Sequence, residues 1–274
     1  MPELMREGCM TNWSRSPPLT SEVQLDEKWS FVAKKEAQCD PERLADREAG
    51  DRWDHTAVDP EHALLLALVP GKRREENCRA VVEEVRARTG GREDLLLTSD
   101  EYAPYETQIQ AVFGFEVAAP RKPGPGRPPK PHTVVPDTMV YATVKKTRRE
   151  GRVVQVVRSI VFGTVALLAA LLKRSSVSST INTSFVERHN GTDRGQNARK
   201  GRKTYCFSKS LEVHDAVSFF VAFSYNFCWP VRTLRDREPL ATGPVTPAMS
   251  AGLADHVWSV REWATYPALP DEPT

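Results

Sequence analysis

The order of the apolar segments in the first part of the chain constrains the fold more than any other feature. Three segments with the apolar pattern of strands come first, and a helix, a strand and a second helix follow. Strands followed by an alternation of helix and strand are typical of an α/β layer with a mixed sheet. The predicted strands are Val23–Ala33, Thr56–Val58, Ala63–Val69 and Leu95–Thr98, and the predicted helices are Glu75–Thr89 and Tyr105–Phe113.

The rest of the chain is less regular. Residues 36–55 are polar and rich in turn formers, so we predict a loop there. The apolar run Ile160–Leu172 is too short to span a bilayer, and we predict a buried strand that continues into a short helix. Residues 1–21 are expected to be poorly ordered, and residues 231–274 to form a Pro-rich tail. Further strands are predicted at Val134–Lys146 and Arg152–Phe162, and helical structure within Thr183–Lys203 and at Leu211–Tyr225.

The charged side chains are unevenly distributed, although the formal net charge is only +2. Residues 1–120 carry 15 basic and 24 acidic side chains, whereas residues 121–210 carry 19 basic and 4 acidic ones. Residues 211–274 are acidic again, with 4 basic and 8 acidic side chains. A block this basic needs a negatively charged partner, and nucleic acid is the commonest one. The alternative is a basic surface that contacts only solvent.

The five cysteines exclude two classes of small, cross-linked protein. Their number is odd, their spacing is wide and no CxxC pair occurs, so the sequence indicates neither a disulfide framework nor a zinc ribbon. The N-terminus carries charge and lacks the apolar stretch of a signal peptide. We therefore expect a cytoplasmic protein without a membrane partner, associated with the nucleoid if it binds DNA.

Three acidic residues stand out by their position. Asp26 lies inside an apolar strand, where a carboxylate is costly unless it is paired or binds a metal. Asp100 follows a buried strand at the end where α/β sheets place ligands, and Glu187 lies at the start of a predicted helix. Carboxylates are the hard oxygen ligands that Mg²⁺ prefers. The residues alone leave two interpretations open, a metal site or solvated acids at the ends of helices and strands.

The segments around these acids resemble a known family. They read DEKWSFVAKK at 26–35, TSDEYAPY at 98–105 and FVERHNGTDRGQNARKGRKTYCFSKSLEVHD at 185–215. In this order they resemble the three catalytic blocks of insertion-sequence transposases, similar to the insertion sequence one type and its unclassified relatives. The third block is the most specific, because its glutamate is followed by Arg-His-Asn and then by an Arg-rich stretch ending in Phe-Ser-Lys.

The resemblance implies a DDE-type DNA transposase. It implies a ribonuclease-H-like α/β domain over residues 22–230, with helices flanking a mixed sheet and a basic, β-containing insertion at 118–180 between the second and third catalytic acids. Asp26, Asp100 and Glu187 are then the catalytic residues and the ligands of two Mg²⁺ ions, with Mn²⁺ as an alternative. The implied reaction is strand cleavage at transposon ends and transfer of the 3′-hydroxyl into target DNA.

Basic and polar residues beside the third acid are candidate DNA contacts. The helix containing Glu187 places Gly191, Arg194 and Ala198 on its own face, with Asn190 beside it. Arg127 lies in the segment PGRPPKP, which resembles a single AT-hook core and is suited to a narrow minor groove. A rigid basic linker is the alternative for that segment. The predicted DNA-binding residues are Arg127, Arg188, His189, Asn190, Arg194, Arg199, Arg202 and Lys203.

Glu27 and Glu101 are next to the two aspartates. Neighbouring side chains of a strand point to opposite faces, so only one of each pair is expected to face the metals, and the resemblance favours the aspartates.

The resemblance departs from the family at the N-terminal end. Only about 21 residues precede the first block, and the zinc-finger or helix-turn-helix region of relatives is not found there. Three explanations stay open: a separate protein recognises the ends, a frameshift fuses such a region to the chain, or this is a truncated copy. DNA and further copies of the chain are the expected partners, joined in the first case by an end-recognition protein. Two other functions stay open: a nuclease or resolvase on the same fold, and a non-catalytic DNA-binding remnant.

Overall fold

A computed structural model describes residues 19–118, 130–237 and 243–266. The strands of the main sheet are β1 (Glu22–Val32), β2 (Gly50–Asp59), β3 (Leu64–Gly71), β4 (Leu96–Ser99), β7 (Val140–Arg149) and β8 (Arg152–Phe162); β5 (Phe115–Val117) and β6 (His132–Val134) form a separate hairpin-like pair. The helices are α1 (Glu75–Arg88), α2 (Pro104–Phe113), α3 (Val165–Arg174), α4 (Ser184–Gln196) and α5 (Leu211–Cys228), followed by the short α6 (Arg232–Arg235), α7 (Pro247–Ser250) and α8 (Val260–Thr265). Single 3₁₀ turns occupy Glu36–Gln38, Leu44–Asp46 and Ala198–Lys200.

The main sheet is mixed and has the strand order β3-β2-β1-β4-β7-β8. Strands β1, β2 and β3 pair antiparallel, β4 pairs parallel with both β1 and β7, and β8 returns antiparallel to β7. Helices lie on both faces of the sheet, as the sequence predicted. This mixed α/β architecture is consistent with a ribonuclease-H-like fold.

Strand β1 lies inside the sheet and separates two different environments. Val23 and Leu25 belong to the main apolar core, which also contains buried residues of α1 and α2. Gln24, on the other face, accepts hydrogen bonds from main-chain N–H groups at the start of α4. Because successive side chains of a strand alternate between faces, Asp26 also points toward α4.

Two predictions about buried and exposed segments are wrong. The loop predicted at 36–55 is too long, because β2 begins at Gly50 and pairs with β1 as far as Gln24. The run Ile160–Leu172 does form a strand and a helix, but it is not buried: Val165 is 75% exposed and Leu171 is the one buried residue of α3. The run lies at the edge of the sheet, where β8 has a partner on one side only.

The strands of the basic stretch belong to the main sheet. Strand β7 extends the sheet beside β4, and β8 forms its edge. The boundaries 118–180 of an insertion stay a prediction, as do the tail boundaries 231–274. Arg127 and the AT-hook-like segment lie outside the described residues, and so does nearly all of the segment 1–21. Among the helices that the structure describes, none is both long enough and apolar enough to cross a membrane.

Candidate active site

Asp26 is held by a neighbouring amide on α4. The side-chain nitrogen Nδ2 of Asn190 donates a hydrogen bond of 2.8 Å to Oδ2 of Asp26. The Thr56 hydroxyl on β2 lies 3.1 Å from the main-chain oxygen of Asp26 and 3.4 Å from Oδ1 of Asn190. These contacts fix the direction in which the Asp26 carboxylate points.

Asp100 and Glu187 reach the same region from two other elements. Asp100 follows the last residue of β4, and its Oδ1 accepts a hydrogen bond of 3.1 Å from the main-chain N–H of Tyr102 at the entry to α2. Glu187 lies in the first turn of α4, where its Oε1 accepts a hydrogen bond of 2.7 Å from the Thr183 hydroxyl. The same oxygen forms an ion pair with Lys146 of β7.

The three predicted acids line one open cavity of about 680 Å³. The parallel pairing of β1 with β4 brings Asp26 and Asp100 to neighbouring strands, and α4 covers this end of the sheet. Six basic side chains line the same cavity: Arg73, Lys145, Lys146, Arg148, Arg194 and Arg202. The cavity therefore combines a cluster of carboxylates with groups that attract anions.

The carboxylates influence one another electrostatically. The pKa of Asp26 is raised to about 6, mainly by burial; the negative charges of Asp100 and Glu187 contribute to this rise, and the hydrogen bond from Asn190 opposes it. Burial, and then the charge of Arg202, lower the pKa of Arg194. A cation between the acids and an anion beside the arginines would each relieve unfavourable interactions within this cavity.

The acids do not form a closed metal site in this conformation. Within the described ranges, no group of three or more His, Cys, Asp or Glu side chains is arranged to hold a metal ion. The Glu187 carboxylate is engaged by Lys146 and Thr183. The donor types and their shared cavity suit Mg²⁺, while the side-chain position of Glu187 does not.

The predicted DNA-binding residues divide between different surfaces. Asn190, Arg194 and Arg202 line the acidic cavity. Arg188 and His189 do not, because they point from the opposite side of α4 into a second cavity. Arg199 and Lys203, which follow α4, line neither cavity.

His189 is the clearest departure from the predicted grouping beside the acids. Its side chain is buried and packs edge-on against Tyr225, with 4.9 Å between ring centroids. Burial, followed by the positive charge of Lys28, lowers the pKa of His189 to about 4. The ring is therefore neutral at pH 7 and does not act as a cation beside the acidic cavity.

The two neighbouring glutamates behave differently from each other. Glu27 points away from Asp26, as strand alternation predicts, and its Oε2 pairs with Arg73 Nη2 at 2.9 Å. Glu101 lines the acidic cavity together with Asp100, and its Oε2 pairs with Lys145 at 2.6 Å. That only one of the two carboxylates faces the metals stays a prediction. Both residues come after β4 ends at Ser99, where strand alternation no longer applies.

Sequence reasoning missed a buried cluster of charges beneath α4. Lys28 pairs with Asp193 and lies 3.2 Å from Oδ2 of Asp54, which also pairs with Lys200. All four side chains are at most 3% exposed. Burial opposes ionisation of Asp54, but the charges of Lys200 and Lys28 outweigh it and hold its pKa well below the usual range. The sequence feature that could have revealed this cluster is Lys28. It is a charged residue two positions after Asp26 and therefore lies on the same face of β1.

These features together are consistent with the DDE class of transposases. Residues 156–225 match the family model described as IS1 transposase. The match covers about a quarter of the chain and includes Glu187, the whole of α3 and α4, and most of α5. The chain is therefore similar to IS1 transposases, as its motifs predicted, and this similarity supports a transposase role. No curated protein matches the chain.

Proposed function

We propose that this chain is a DDE-type transposase that cuts DNA at transposon ends and joins the freed 3′-hydroxyl to a phosphate of target DNA, with release of a 3′-hydroxyl of the target strand. The observation that carries the proposal is the meeting of Asp26, Asp100 and Glu187 in one cavity lined by basic side chains. The acids come from β1, from the end of β4 and from α4, and they are far apart in the sequence. A chance surface acid does not explain this convergence.

Mg²⁺ is the proposed cofactor, with Mn²⁺ as a substitute. Asp26 and Asp100 would hold it with Glu187, once the Glu187 carboxylate leaves Lys146. Such ions would supply Lewis acids that stabilise the negative charge developing at a scissile phosphate. The charges of Asp100 and Glu187 help to raise the pKa of Asp26, and a divalent cation would remove this repulsion.

The remaining residues of the cavity have positioning roles in this proposal. Asn190 orients the Asp26 carboxylate through its amide. Arg194, Arg202 and Arg148 attract the phosphates of a DNA strand into the cavity and hold the strand beside the acids. The chain is expected to work as a multimer on paired ends, with a separate protein contributing to end recognition.

An Asp100→Asn variant tests the assignment. The purified variant should lose Mg²⁺-dependent cleavage of DNA that carries the element's ends, by a factor of about a thousand or more, because one oxygen ligand loses its charge. Its DNA binding, measured by fluorescence anisotropy, should be unchanged. Asp137→Asn changes an exposed aspartate outside the cavity and should cleave like the wild type. Equal cleavage by Asp100→Asn and the wild type would refute the assignment.

Joining separates a transposase from a nuclease or resolvase on the same fold. Wild-type protein given pre-cut ends and a target plasmid should produce joined DNA in Mg²⁺. Cleavage without joined product would favour a nuclease. Salt-sensitive DNA binding without turnover in Mg²⁺ or Mn²⁺ would indicate a DNA-binding remnant.

A further inference from the structure

Helix α4 separates two cavities. Glu187, Asn190 and Arg194 lie on the face toward the acidic cavity. Phe185, Arg188, His189 and Thr192 line a second cavity of about 270 Å³ on the opposite face. These positions fit the 100° step between helical residues, which places the two groups on opposite sides of the helix. The second cavity plays no part in the function proposed above.

The walls of the second cavity are aromatic and apolar. Tyr225 of α5, Trp229 directly after that helix, and Val58 and Pro60 line it. Trp229 is 53% exposed, which is unusual for a side chain with so large an apolar area. An exposed indole beside a buried phenol ring offers a stacking surface for a planar ligand.

The charge of this cavity is positive. Arg188, Arg232 and Arg237 line it, and no aspartate or glutamate is among the described lining residues. Arg237 donates to the main-chain oxygen of Glu61, which does not neutralise its charge. Arg232 lies 3.8 Å from Asp236, but it is 84% exposed and so only weakly compensated. The cavity therefore favours a ligand with negative charge.

A buried histidine with one unpartnered ring nitrogen is among the residues that line the cavity. His189 is 6% exposed, and its Nδ1 has no hydrogen-bond partner among the described residues. A buried polar atom without a partner destabilises the protein unless a ligand or water completes the bond. The low pKa of this ring keeps it neutral, so it can donate from one nitrogen and accept at the other.

We infer that the second cavity binds a nucleotide that has unstacked from its DNA strand, with its base on Trp229 and Tyr225 and its flanking phosphates on the arginines. A base supplies a planar ring and hydrogen-bonding edges, and the phosphates supply negative charge. Among common polymers, nucleic acids are the ones that combine these groups at every unit. An acidic peptide with aromatic residues is the competing ligand, and the test below includes it.

The position of the cavity suits one continuous strand. An α-helix is roughly 10 Å across, which is about three nucleotides at the stacked spacing of roughly 3.4 Å. A strand whose phosphate lies in the acidic cavity can therefore place a base on the far side of α4 a few nucleotides away. The bound nucleotide would hold the strand on both sides of the helix that carries Glu187.

Binding of a labelled single-stranded oligonucleotide, followed by fluorescence anisotropy, tests this inference. Trp229→Ala should weaken binding roughly tenfold, because stacking of one base on an aromatic ring is lost. Arg188→Ala should weaken it by a similar factor. The matched controls are Phe115→Ala, which removes an aromatic ring with the same 53% exposure, and Arg79→Ala, which removes an exposed arginine of α1. Both controls should bind like the wild type, and all variants should keep the wild-type melting temperature.

An abasic nucleotide placed at successive positions separates base recognition from phosphate attraction. One position should weaken wild-type binding, while the same substitution should have no further effect on Trp229→Ala. Wild-type affinity in Trp229→Ala, or an equal loss in Phe115→Ala, would overturn the inference. An acidic peptide with aromatic residues is then added as a competitor of the bound oligonucleotide. Failure of the peptide to displace the oligonucleotide supports the inference, and binding of the peptide in place of DNA overturns it.

The inference rests in part on the chain binding DNA, and the measurements keep the two proposals apart. Loss of cleavage in Asp100→Asn together with unchanged oligonucleotide binding in Trp229→Ala would reject the second cavity alone. The reverse pattern would reject the catalytic assignment alone.

Discussion

The buried carboxylate of Glu22 makes the stability of the fold depend on pH. Glu22, at the start of β1, is buried, and its Oε1 accepts a hydrogen bond of 2.5 Å from the Ser178 hydroxyl. Burial raises the pKa of Glu22 to about 7, and the charges of Glu61 and Asp59 add to the rise against the opposing hydrogen bond. The folded protein therefore holds a proton here that the unfolded chain, with an ordinary glutamate pKa of 4.5, has released.

A Glu22→Gln substitution should change how stability depends on pH. The folded protein binds the proton of Glu22 more tightly than the unfolded chain does. The contribution of this proton to the free energy of unfolding is fully present below pH 4.5 and is lost as the pH rises through about 7. The variant should therefore be more stable than the wild type at pH 8, by about 3 kcal/mol, and nearly equal at pH 4.5. Urea unfolding at the two pH values measures this. Exposed Glu76→Gln should show no such difference, and a Glu22 variant that is less stable at pH 8 would contradict the prediction.

The buried cluster of Lys28, Asp54, Asp193 and Lys200 should respond sharply to removal of one charge. Lys200→Met leaves Asp54 with Lys28 as its remaining cation. We expect a loss of about 2–4 kcal/mol in the free energy of unfolding, because a buried carboxylate is left partly uncompensated. Chemical denaturation followed by circular dichroism measures the loss. Exposed Lys203→Met is the control, and an equal effect of both variants would contradict the prediction.

At the scale of elements, the contact between β7 and α4 controls where Glu187 points. The Glu187 side chain is 43% exposed and that of Lys146 25% exposed. A pair as exposed as this contributes at most about 1 kcal/mol. Competition from a divalent cation is therefore sufficient to release it.

A Lys146→Met variant should bind Mn²⁺ more tightly than the wild type, by up to about fivefold, since the cation no longer competes with an ammonium group. Isothermal titration calorimetry without DNA measures the affinity and needs no catalysis. Lys145→Met is the matched control, because Lys145 pairs with Glu101 and not with Glu187. Weaker binding in Lys146→Met than in Lys145→Met would show that Lys146 does not restrain Glu187.

The elements with a clear apolar period were predictable from sequence, and those with buried charges were not. The helices α1, α2 and α5 and the strands β1 and β4 were predicted close to their observed positions. The first half of β2 was missed because Arg52 and Asp54 give it the polarity of a loop, although both are buried. Asp54 pairs with Lys28 on β1 and with Lys200 after α4, and Arg52 donates to the main-chain oxygen of Glu48. A local sequence pattern does not reveal these partners. The sequence did not predict the exposure of α3, because the apolar side chains of this helix were interpreted as buried.

On the scale of the whole molecule, the sequence indicated which residues line the acidic cavity, while their catalytic and DNA-binding roles stay predictions. The motifs identified three acids that the fold brings to one cavity, and they identified Asn190, Arg194 and Arg202 beside them. The separation of Arg188 and His189 onto another surface depends on how α4 packs against α5 and the sheet. The pairing of Glu187 with Lys146 depends on β7, 41 residues earlier in the chain. A local sequence pattern contains neither of these contacts.

The basic side chains of the molecule should make DNA binding strongly dependent on salt. Each phosphate that the protein neutralises contributes about −0.9 to the slope of log affinity against log salt. If Arg202 and Lys203 each neutralise one phosphate, Arg202→Ala with Lys203→Ala should make the slope less steep by about 1.8. Anisotropy titrations at several salt concentrations measure it. Exposed Arg43→Ala with Arg47→Ala should leave the slope unchanged, and an equal change in both pairs would contradict the assignment.

The location of α4 between two cavities has a mechanical consequence. A helix turns as a single body, because its main-chain hydrogen bonds fix each residue relative to the next. Any rotation of α4 about its axis that carries Glu187 toward Asp26 must swing Arg188 by the same angle on the far side. A ligand in one cavity therefore restricts the positions that side chains of α4 can take in the other cavity, although the two ligands do not touch.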